Sequence, residues 1–600
     1  MADEPDRYCA LEFEDFTLND EKHLVYSRFA RTLAALPRHA VRVLRTCESS
    51  IAPLEAHVEQ CAKKLLIPEA QRAALTDLIR ALVRVGLLVT ERGIVQRVRD
   101  SGPKAESCAP LRTVGIITRH RTDLLERGLV NLAANVRRFG RAMTVIVACD
   151  GSEEDDAAAR VVLARARDAY GVEPVLIGMA ERRALVRSLG GQVPEDVVRF
   201  AIGRDGPGFF APGAARNLLL LRSGGERVVF VDDDTMGRFA SFGAITELVL
   251  TNRRDPTHFR FFADRQSSLR EAPISDDLDF LGVHDGWLGK TPSTWVDLAI
   301  SLADSPAALT RFLDGERTAR VMLTHFGVVG NSGMQNPHYV YTRDGPTRSA
   351  LHSLGADFRR CLLSRDVHRF VQRPTISPVG FCMTPCLGID ARGLVPPFAP
   401  HFYNEDGAFG SALRATRPDA FTAFLPVSIV HDPAGDRTLP SFDEVLRRAA
   451  TVRCNDALML LLGRCSAAPA GIDPAVGMRS IGAQLVAMSD SEPSFREVLL
   501  LAVCRERERF LGALRRAARA AAKEASELQA DLEALIRAYE AALRKPSDRI
   551  AVDIGGVPDT AVSRLREYVR AYGRLLQAWP DIVTIGQSFF CPAAIGNVKA

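Results

Sequence analysis

Three successive aspartates, Asp232, Asp233 and Asp234, could perform metal chemistry in this 600-residue chain. They follow the short apolar run Arg227 to Val231, whose composition predicts a buried central strand. Open α/β sheets bind ligands at the carboxyl ends of their strands. Three adjacent carboxylates in a dry site would repel one another, which makes a divalent cation their natural occupant. A solvated acidic turn would give the same triplet, and this alternative stays open.

Two further predicted strands end in polar residues at the same edge of the sheet. The run Thr113 to Thr118 is followed by Arg119, and the run Val145 to Cys149 is followed by Asp150, Gly151 and Ser152. In a parallel sheet the carboxyl ends of neighbouring strands meet at one edge. We therefore expect these side chains to lie close to the acidic triplet.

A loop predicted from Pro212 to Asn217 precedes the triplet and leads into a helix from Leu218 to Leu221. In this position the guanidinium of Arg216, together with amides at the helix start, could contact phosphate oxygens. The loop therefore predicts a phosphate contact beside the acidic strand.

Four segments occur in a fixed order along the chain: "VGIITRHR", "VIVACDGS", "APGAARNLLLL" with "VVFVDDD", and "FYNEDGAFG". Together they resemble the family 2 glycosyltransferases of the GT-A superfamily over roughly residues 112 to 435. The ordered set is more specific than any one of its members. The resemblance implies a nucleotide-sugar donor, with a UDP-sugar the commonest, and Mn2+ or Mg2+ as the cofactor.

The resemblance also implies a role for each matching residue. Residues that would hold the nucleoside, ribose or phosphates of the donor are Thr118, Arg119, Asp150, Arg216, Asn217, Asp232 and Asp233. The implied metal ligands are Asp232, Asp234 and His431. Asp406 matches the general base that deprotonates the acceptor, and Glu405 beside it would hold acceptor or sugar hydroxyls.

The physical chemistry of glycosyl transfer agrees with these roles. An acceptor hydroxyl is a poor nucleophile, so a carboxylate must take its proton as the new bond forms. A single base opposite a metal-bound leaving group predicts one displacement, with inversion at the anomeric carbon. Two structural alternatives stay open: Glu405-Asp406 as a helix start capped by Asn404, and His431 as a hydrogen-bonded structural residue.

The pattern around these motifs predicts an α/β fold. Strand-like runs alternate with helical stretches from residue 113 to 177, which indicates a βαβαβ unit and a parallel sheet. We expect a GT-A glycosyltransferase domain over residues 111–441. It would contain an insertion at about 240–380, in which His325 to Met334 forms a Gly-punctuated loop near the acceptor side.

The first 96 residues have helical patterning, with helices expected at Leu36 to Leu44, Pro53 to Leu66 and Pro68 to Val85, followed by a strand pair near residues 86–90. This arrangement predicts a winged helix and resembles the PqqD-like domains that bind leader peptides. A docking or dimerisation module without a peptide ligand is the alternative. Residues 97–110 are the expected linker.

Residues 442–600 form a predicted helical C-terminal region. Within it Leu528, Leu532, Leu535, Tyr539 and Leu543 follow a near-heptad spacing. This seam would pack against the catalytic domain or form a homodimer.

Composition excludes some classes of function. The chain has 77 Lys and Arg against 73 Asp and Glu, which gives no electrostatic reason to expect a nucleic-acid partner. It has no apolar stretch long enough for a membrane span and no basic, apolar signal at its start, so we expect a cytoplasmic location. Its 12 cysteines lack metal-site spacing and are expected as reduced thiols.

Two other functions compete with glycosyl transfer. The segment "VVFVDDDTMG" has similarity to phosphohydrolases of haloacid-dehalogenase type, although Met236 stands where those enzymes have Thr. A non-catalytic scaffold with a GT-A-like domain is the second. If the N-terminal module binds a leader, the acceptor is a leader-bearing peptide; otherwise a small metabolite or a glycan precursor is equally suitable.

Overall fold

The computed structural model describes residues 6–48, 50–100, 108–203, 211–295, 297–314, 318–435, 437–469, 471–521, 526–555 and 558–590. Within these residues, a large mixed sheet lies between two layers of helices. Alternate residues of one central strand face two separate cores: Ile146 and Ala148 pack into one, and Val145 and Val147 into the other. No helix in the described ranges is long and apolar enough to cross a bilayer.

The N-terminal region combines a small antiparallel sheet with helices. Its elements are β1 (Tyr8–Cys9), β2 (Phe13–Thr17), β3 (Lys22–Ser27), β4 (Thr32–Pro37), α1 (Arg38–Cys47), α2 (Leu54–Leu65), α3 (Arg72–Arg84), β5 (Val89–Thr90) and α4 (Glu91–Asp100). The three predicted helices are confirmed. The β2-β3-β4 sheet was not predicted, and the strand pair expected at residues 86–90 is one short strand, β5, that pairs with β1.

The predicted linker at residues 97–110 is wrong at its start, because α4 continues to Asp100. Residues 101–107 of that linker lie outside the described residues. Ile94 and Val98 of α4 are buried in the same core as Leu129 and Val145 of the central region. The N-terminal region therefore shares packing with the central sheet.

The first half of the central region is the predicted parallel unit. Its elements are β6 (Thr113–Thr118), α5 (Thr122–Arg138), β7 (Thr144–Cys149), α6 (Glu153–Tyr170), β8 (Glu173–Ile177), α7 (Met179–Leu189), α8 (Glu195–Ile202), α9 (Pro212–Arg222) and β9 (Arg227–Asp232). The strands lie in the order β9-β6-β7-β8, and all three pairings are parallel. The βαβαβ prediction is confirmed.

The second half completes the sheet. Its elements are β10 (Thr235–Ser241), β11 (Glu247–Leu250), β12 (His258–Phe262), α10 (Arg265–Glu271), α11 (Phe280–Asp285), β13 (Ala299–Leu302), α12 (Thr310–Leu313), β14 (Arg320–Asn331), α13 (Gly345–Ser353), α14 (Phe358–Ser364), β15 (Asp366–Phe370), β16 (Thr375–Pro378), β17 (Cys386–Asp390), α15 (Glu405–Thr416) and β18 (Ala420–His431). In the described chain the sheet runs β13-β11-β16-β18-β14-β17-β9-β6-β7-β8, with β10, β12 and β15 joined at its side.

Residues 240–380 were predicted as an insertion, but they supply strands to the centre of the sheet. The predicted loop His325 to Met334 is likewise wrong, since most of it belongs to the buried strand β14. Its glycines allow close approach of neighbouring backbone: a Cβ on Gly327 would lie 1.9 Å from the carbonyl oxygen of Arg369. The glycines that the sequence analysis interpreted as marks of a flexible turn are instead required for tight packing between strands.

The C-terminal region is helical, as predicted, with α16 (Phe442–Arg448), α17 (Cys454–Leu462), α18 (Pro474–Met488), α19 (Glu492–Ala521), α20 (Ser526–Arg544) and α21 (Pro558–Phe590). Helix α21 packs on the central region: Trp579 Nε1 donates to the carbonyl of Val395 at 2.8 Å, and the Tyr572 hydroxyl donates to that of Pro397 at 2.9 Å. These acceptors lie between β17 and α15, so the last helix contacts the segment that leads to Glu405.

The near-heptad seam on α20 packs against other residues of the same chain. Leu528, Leu532, Leu535 and Tyr539 are buried in a core with residues of α19 and with Phe259 of the central region, and Leu543 packs against it. The packing alternative is confirmed for this seam. The homodimer predicted through it would require this packing to open.

Candidate active site

The predicted site residues meet at the carboxyl edge of the parallel strands. Asp232 closes β9, and Asp233 and Asp234 form the turn into β10. Thr118 closes β6, and the backbone amide of Asp150, directly after β7, donates to the Thr118 carbonyl at 2.8 Å. Three strands thus deliver five predicted residues to one edge of the sheet.

Arg216 joins this edge to the start of α15. One terminal nitrogen of its guanidinium donates to Asp232 Oδ1 at 2.8 Å and to Thr384 Oγ1 at 2.7 Å, and the other donates to Glu405 Oε1. Only 4% of Arg216 is exposed. Burial opposes the charged form, but Glu405 and Asp232 outweigh it and raise the pKa of Arg216. The buried cation therefore neutralises acids from both halves of the site.

Arg216 is held by a helix, not by the predicted loop, because α9 already begins at Pro212. Proline suits the first helical position, where its missing N–H is not required. Asn217 anchors the same turn: its Nδ2 donates to the carbonyls of Ala201 at 3.0 Å and Phe398 at 3.1 Å, and its Oδ1 accepts from the amide of Phe398 at 2.8 Å. Asn217 therefore positions Arg216 through backbone contacts.

Glu405 and Asp406 begin α15 as predicted, but the expected cap is wrong. Asn404 makes no side-chain capping bond and donates instead to Asp456 Oδ1 at 2.7 Å. Burial, with a contribution from Asp406, raises the pKa of Glu405 to about 7 against the opposing effect of Arg216. Burial also raises the pKa of Asp406, while the Gly407 amide that donates to its Oδ1 at 2.8 Å acts the other way.

Asp233 lies deepest of the three aspartates. Its Oδ2 accepts from Thr118 Oγ1 at 2.9 Å, and its Oδ1 lies 2.7 Å from a terminal nitrogen of Arg121. Burial raises the pKa of Asp233 to about 7 although Arg121 opposes the shift. The second terminal nitrogen of Arg121 donates to Asp234 Oδ2 at 3.1 Å. Arg121, which was not among the predicted site residues, bridges these two acids.

His431 and Asp234 form a buried pair. The Nδ1 of His431 faces the carbonyl oxygen of Asn331, and its Nε2 lies 3.0 Å from Asp234 Oδ1. A carbonyl only accepts, so Nδ1 carries the hydrogen and Nε2 points at the carboxylate. Burial lowers the pKa of His431, but Asp234 outweighs it and the net shift is upward. Burial raises the pKa of Asp234, but His431, Arg121 and Arg437 hold it well below its usual range.

The pair of Asp234 and His431 meets some of the requirements for binding a divalent cation. Metal-binding histidines usually donate their second ring N–H to a carbonyl or carboxylate, as His431 does. The third predicted ligand, Asp232, binds Arg216 instead, and in the described ranges no three His, Cys, Asp or Glu side chains converge to hold a metal. Magnesium commonly takes one or two protein ligands and completes its shell with water and substrate phosphates. Asp234 and His431 would supply two protein ligands to such a site.

Asp150 is held by a residue that the sequence analysis missed. Arg182 of α7 donates to Asp150 Oδ1 at 3.0 Å, and both side chains are less than a tenth exposed. No local motif identifies Arg182, because it lies in an ordinary helix from another part of the unit. The pair fixes Asp150 beside the end of β6.

No protein-family model and no curated protein matches the sequence. Among solved structures, the chain is similar to a mannosyltransferase from Pyrobaculum calidifontis in complex with GDP-Man and Mn2+, with 14% sequence identity and a TM-score of 0.26. The match covers 81% of this chain and 94% of that chain. Its TM-score is too low to support a conclusion about this protein.

Proposed function

We propose that the chain is a divalent-metal-dependent glycosyltransferase that moves a sugar from a nucleotide diphosphate donor to an acceptor with inversion. One observation carries this proposal: Arg216 binds Asp232 at the strand edge and Glu405 at the start of α15. The acidic strand end and the second pair of acids therefore face one another across a single guanidinium. Glycosyl transfer needs such an arrangement, with the leaving group on one side and the base on the other.

The donor would lie along the carboxyl edge of β6, β7 and β9. Thr118, Arg119 and Asp150 would hold the nucleoside, and Asp234 with His431 would hold Mn2+ or Mg2+. When bound, the metal would neutralise the charge that develops on the leaving diphosphate. The buried Asp233 contacts both Thr118 and Arg121 and keeps this edge in place.

The acceptor would be deprotonated by Asp406. Its raised pKa makes it a stronger base than an exposed aspartate, which suits proton transfer near neutral pH. Glu405 is occupied by Arg216 and would orient hydroxyls rather than take a proton. One base on one side of the sugar supports a single displacement.

The acceptor could be a leader-bearing peptide if the N-terminal region binds one. Phe16 on β2 and Leu33 on β4 are 56% and 62% exposed, which offers apolar contacts beside an open sheet. Deletion of this region would also remove buried residues of α4 such as Ile94. Phe16→Asp and Leu33→Asp are therefore the cleaner test: loss of peptide binding in the intact chain would support this role, and unchanged binding would remove it.

Thermal unfolding of the intact chain with nucleoside diphosphates, with and without Mn2+, tests the proposed donor site. We expect one base to raise the melting temperature only with metal, because a ligand stabilises the fold it binds. A panel of sugar nucleotides then measures turnover. Release of phosphate from phosphomonoesters would favour the haloacid-dehalogenase alternative, and absence of both binding and turnover would favour a scaffold.

A further inference from the structure

Arg365 is a buried cation whose charge has no carboxylate partner among the described residues. It follows α14 in a left-handed conformation (φ 67°), and only 7% of it is exposed. One terminal nitrogen donates to the carbonyl of Arg437 at 2.9 Å, while the buried Nε has no hydrogen-bond partner within the described chain. A buried, unmatched guanidinium is costly unless a further group satisfies it.

The surroundings of Arg365 add to this cost. Burial is the main cause that lowers the pKa of Arg365 to about 10. The nearby cations Arg437 and Arg448 lower it further, Asp366 raises it, and Arg265 has a smaller lowering effect. Arg365 and these three arginines define a partly desolvated corner of the protein, in which like charges repel one another. An anion bound near Arg365 would offset both the desolvation and the repulsion.

A second donor without a partner lies in the adjacent strand. Asn331 is fully buried, and its Oδ1 accepts from the amide of Gly333, but its Nδ2 has no partner in the described residues. The backbone places it next to Arg365: the Ser332 amide donates to the Arg365 carbonyl at 2.8 Å. Two buried donor groups without acceptors therefore belong to residues at the same end of the β14–β15 pair.

This corner adjoins the Asp234–His431 pair. The Asn331 carbonyl accepts from His431 Nδ1, and a terminal nitrogen of Arg437 lies 3.4 Å from Asp234 Oδ2. We propose that Arg365, Arg437 and Asn331 contribute to a phosphate-binding site that adjoins this pair. A phosphate offers several acceptor oxygens and up to two negative charges, which suits a guanidinium cluster with an amide donor.

Two sources would supply the same phosphoryl oxygens. One is the leaving diphosphate of the proposed donor, and the other is a phosphate on the acceptor. The site itself depends only on the geometry of the corner and not on glycosyl transfer. Its relation to the proposed function is decided by comparing probes that carry phosphate with and without a nucleoside.

The experiment measures binding of inorganic phosphate to the full-length, metal-free chain by calorimetry, with thermal unfolding in phosphate and in chloride at matched ionic strength. We expect phosphate to stabilise the wild type beyond chloride. Arg365→Gln should weaken phosphate binding about tenfold or more, since a hydrogen bond to a charged group contributes about 1.5–3 kcal/mol. In chloride, Arg365→Gln should be as stable as the wild type or more so, because like-charge repulsion is removed.

Arg437→Gln and Asn331→Asp are the second and third variants, and Arg187→Gln, an exposed arginine on α7, is the matched control. Arg437 is more than a third exposed and its loss should not impair folding. We expect weaker phosphate binding in both variants and wild-type binding in the control. The proposal is overturned if phosphate gives the wild type no added stability, or if Arg365→Gln binds phosphate as tightly as the wild type does. It is also overturned if Arg365→Gln loses phosphate binding while Arg437→Gln and Asn331→Asp keep it.

A nucleoside diphosphate with Mn2+ then identifies the source. If Arg365→Gln loses this response together with the phosphate response, the corner holds the leaving diphosphate. If it retains the nucleotide response, the corner holds a phosphate of the acceptor. If the wild type responds to phosphate but to no nucleoside diphosphate, the anion site stands and the proposed function fails.

Discussion

Asp232 and Glu405 bind the two terminal nitrogens of the same guanidinium, that of Arg216. The first acid closes a central strand, and the second begins a helix that is distant in the sequence. Their shared partner fixes the separation and orientation of the two groups of acids. Any chemistry at this site therefore depends on a residue that need not itself contact the reacting atoms.

Replacement of Arg216 by Met should destabilise the fold by about 3–5 kcal/mol, because it leaves buried carboxylates without their cation. Urea unfolding followed by circular dichroism measures this loss. The double variant Arg216→Met with Glu405→Gln should recover part of it, since the second change removes one unmatched charge. If the double variant were less stable than the sum of the two single variants predicts, this account of the pair would be wrong.

Replacement of Asp406 by Asn should reduce sugar transfer by about 10²–10⁴-fold, the usual contribution of a general base. Binding of the nucleotide, measured by calorimetry, should stay within about twofold of wild type, because Asp406 does not lie at the donor edge. Glu405→Gln serves as the comparison and should change binding and transfer together through Arg216. Equal transfer by Asp406→Asn and wild type would exclude Asp406 as the base.

Replacement of His431 by Ala should weaken Mn2+ binding by at least about tenfold, since even residues that only orient metal ligands typically contribute 10–100-fold. Electron paramagnetic resonance of free Mn2+ measures the affinity without requiring turnover. His39→Gln, an exposed histidine on α1, is the matched control. Unchanged Mn2+ affinity in the His431 variant would leave this residue with a structural role.

Two buried histidines should each reduce the stability of the chain as the pH is lowered below about 6.5, whereas Asp233 and Glu405, with pKa values raised to about 7, act in the opposite sense. Burial lowers the pKa of His284 to about 3, with a further contribution from His325, whose pKa burial also lowers to about 3. The unfolded chain takes up these protons near pH 6.5 and the folded chain does not, so the contribution of the two histidines to stability is complete above that pH. It should then decline by about 1.4 kcal/mol per pH unit for each histidine.

Unfolding by urea at several pH values measures this slope. His284→Gln should shift this slope from the wild-type value by about 1.4 kcal/mol per pH unit between the folded pKa of about 3 and pH 6.5, because glutamine can still contact Thr324 Oγ1, the partner of His284 Nδ1 at 2.7 Å, but does not titrate. An unchanged slope in the variant would show that other groups cause the acid sensitivity.

The parallel unit could be predicted closely from the sequence because its strands are continuous apolar runs that alternate with amphipathic helices. Thr113–Thr118 agrees with its prediction at both ends. Strand β14 could not be predicted from the sequence, because the glycines that allow it to pack against Arg369 are also typical of turns. The β2-β3-β4 sheet was missed because its strands leave residues such as Leu33 exposed and lack a clear buried face.

The site shows the same division between local and tertiary information. The acids and His431 follow strands or begin a helix, so their order in the sequence predicts that they meet. The cations that hold them do not follow from local pattern: Arg121 lies two residues beyond the predicted Arg119, and Arg182 belongs to a separate helix. Only the tertiary structure shows which arginine neutralises which carboxylate.

The hydrogen bonds of Trp579 and Tyr572 to the segment before α15 make the far end of the chain part of the architecture of the acids. Shortening the protein from that end would loosen the backbone that aims Glu405 and Asp406, even though no residue of α21 belongs to the proposed chemistry. A cut in this helix should therefore impair catalysis and stability together, and the central sheet is not a unit that can be separated from it without harm.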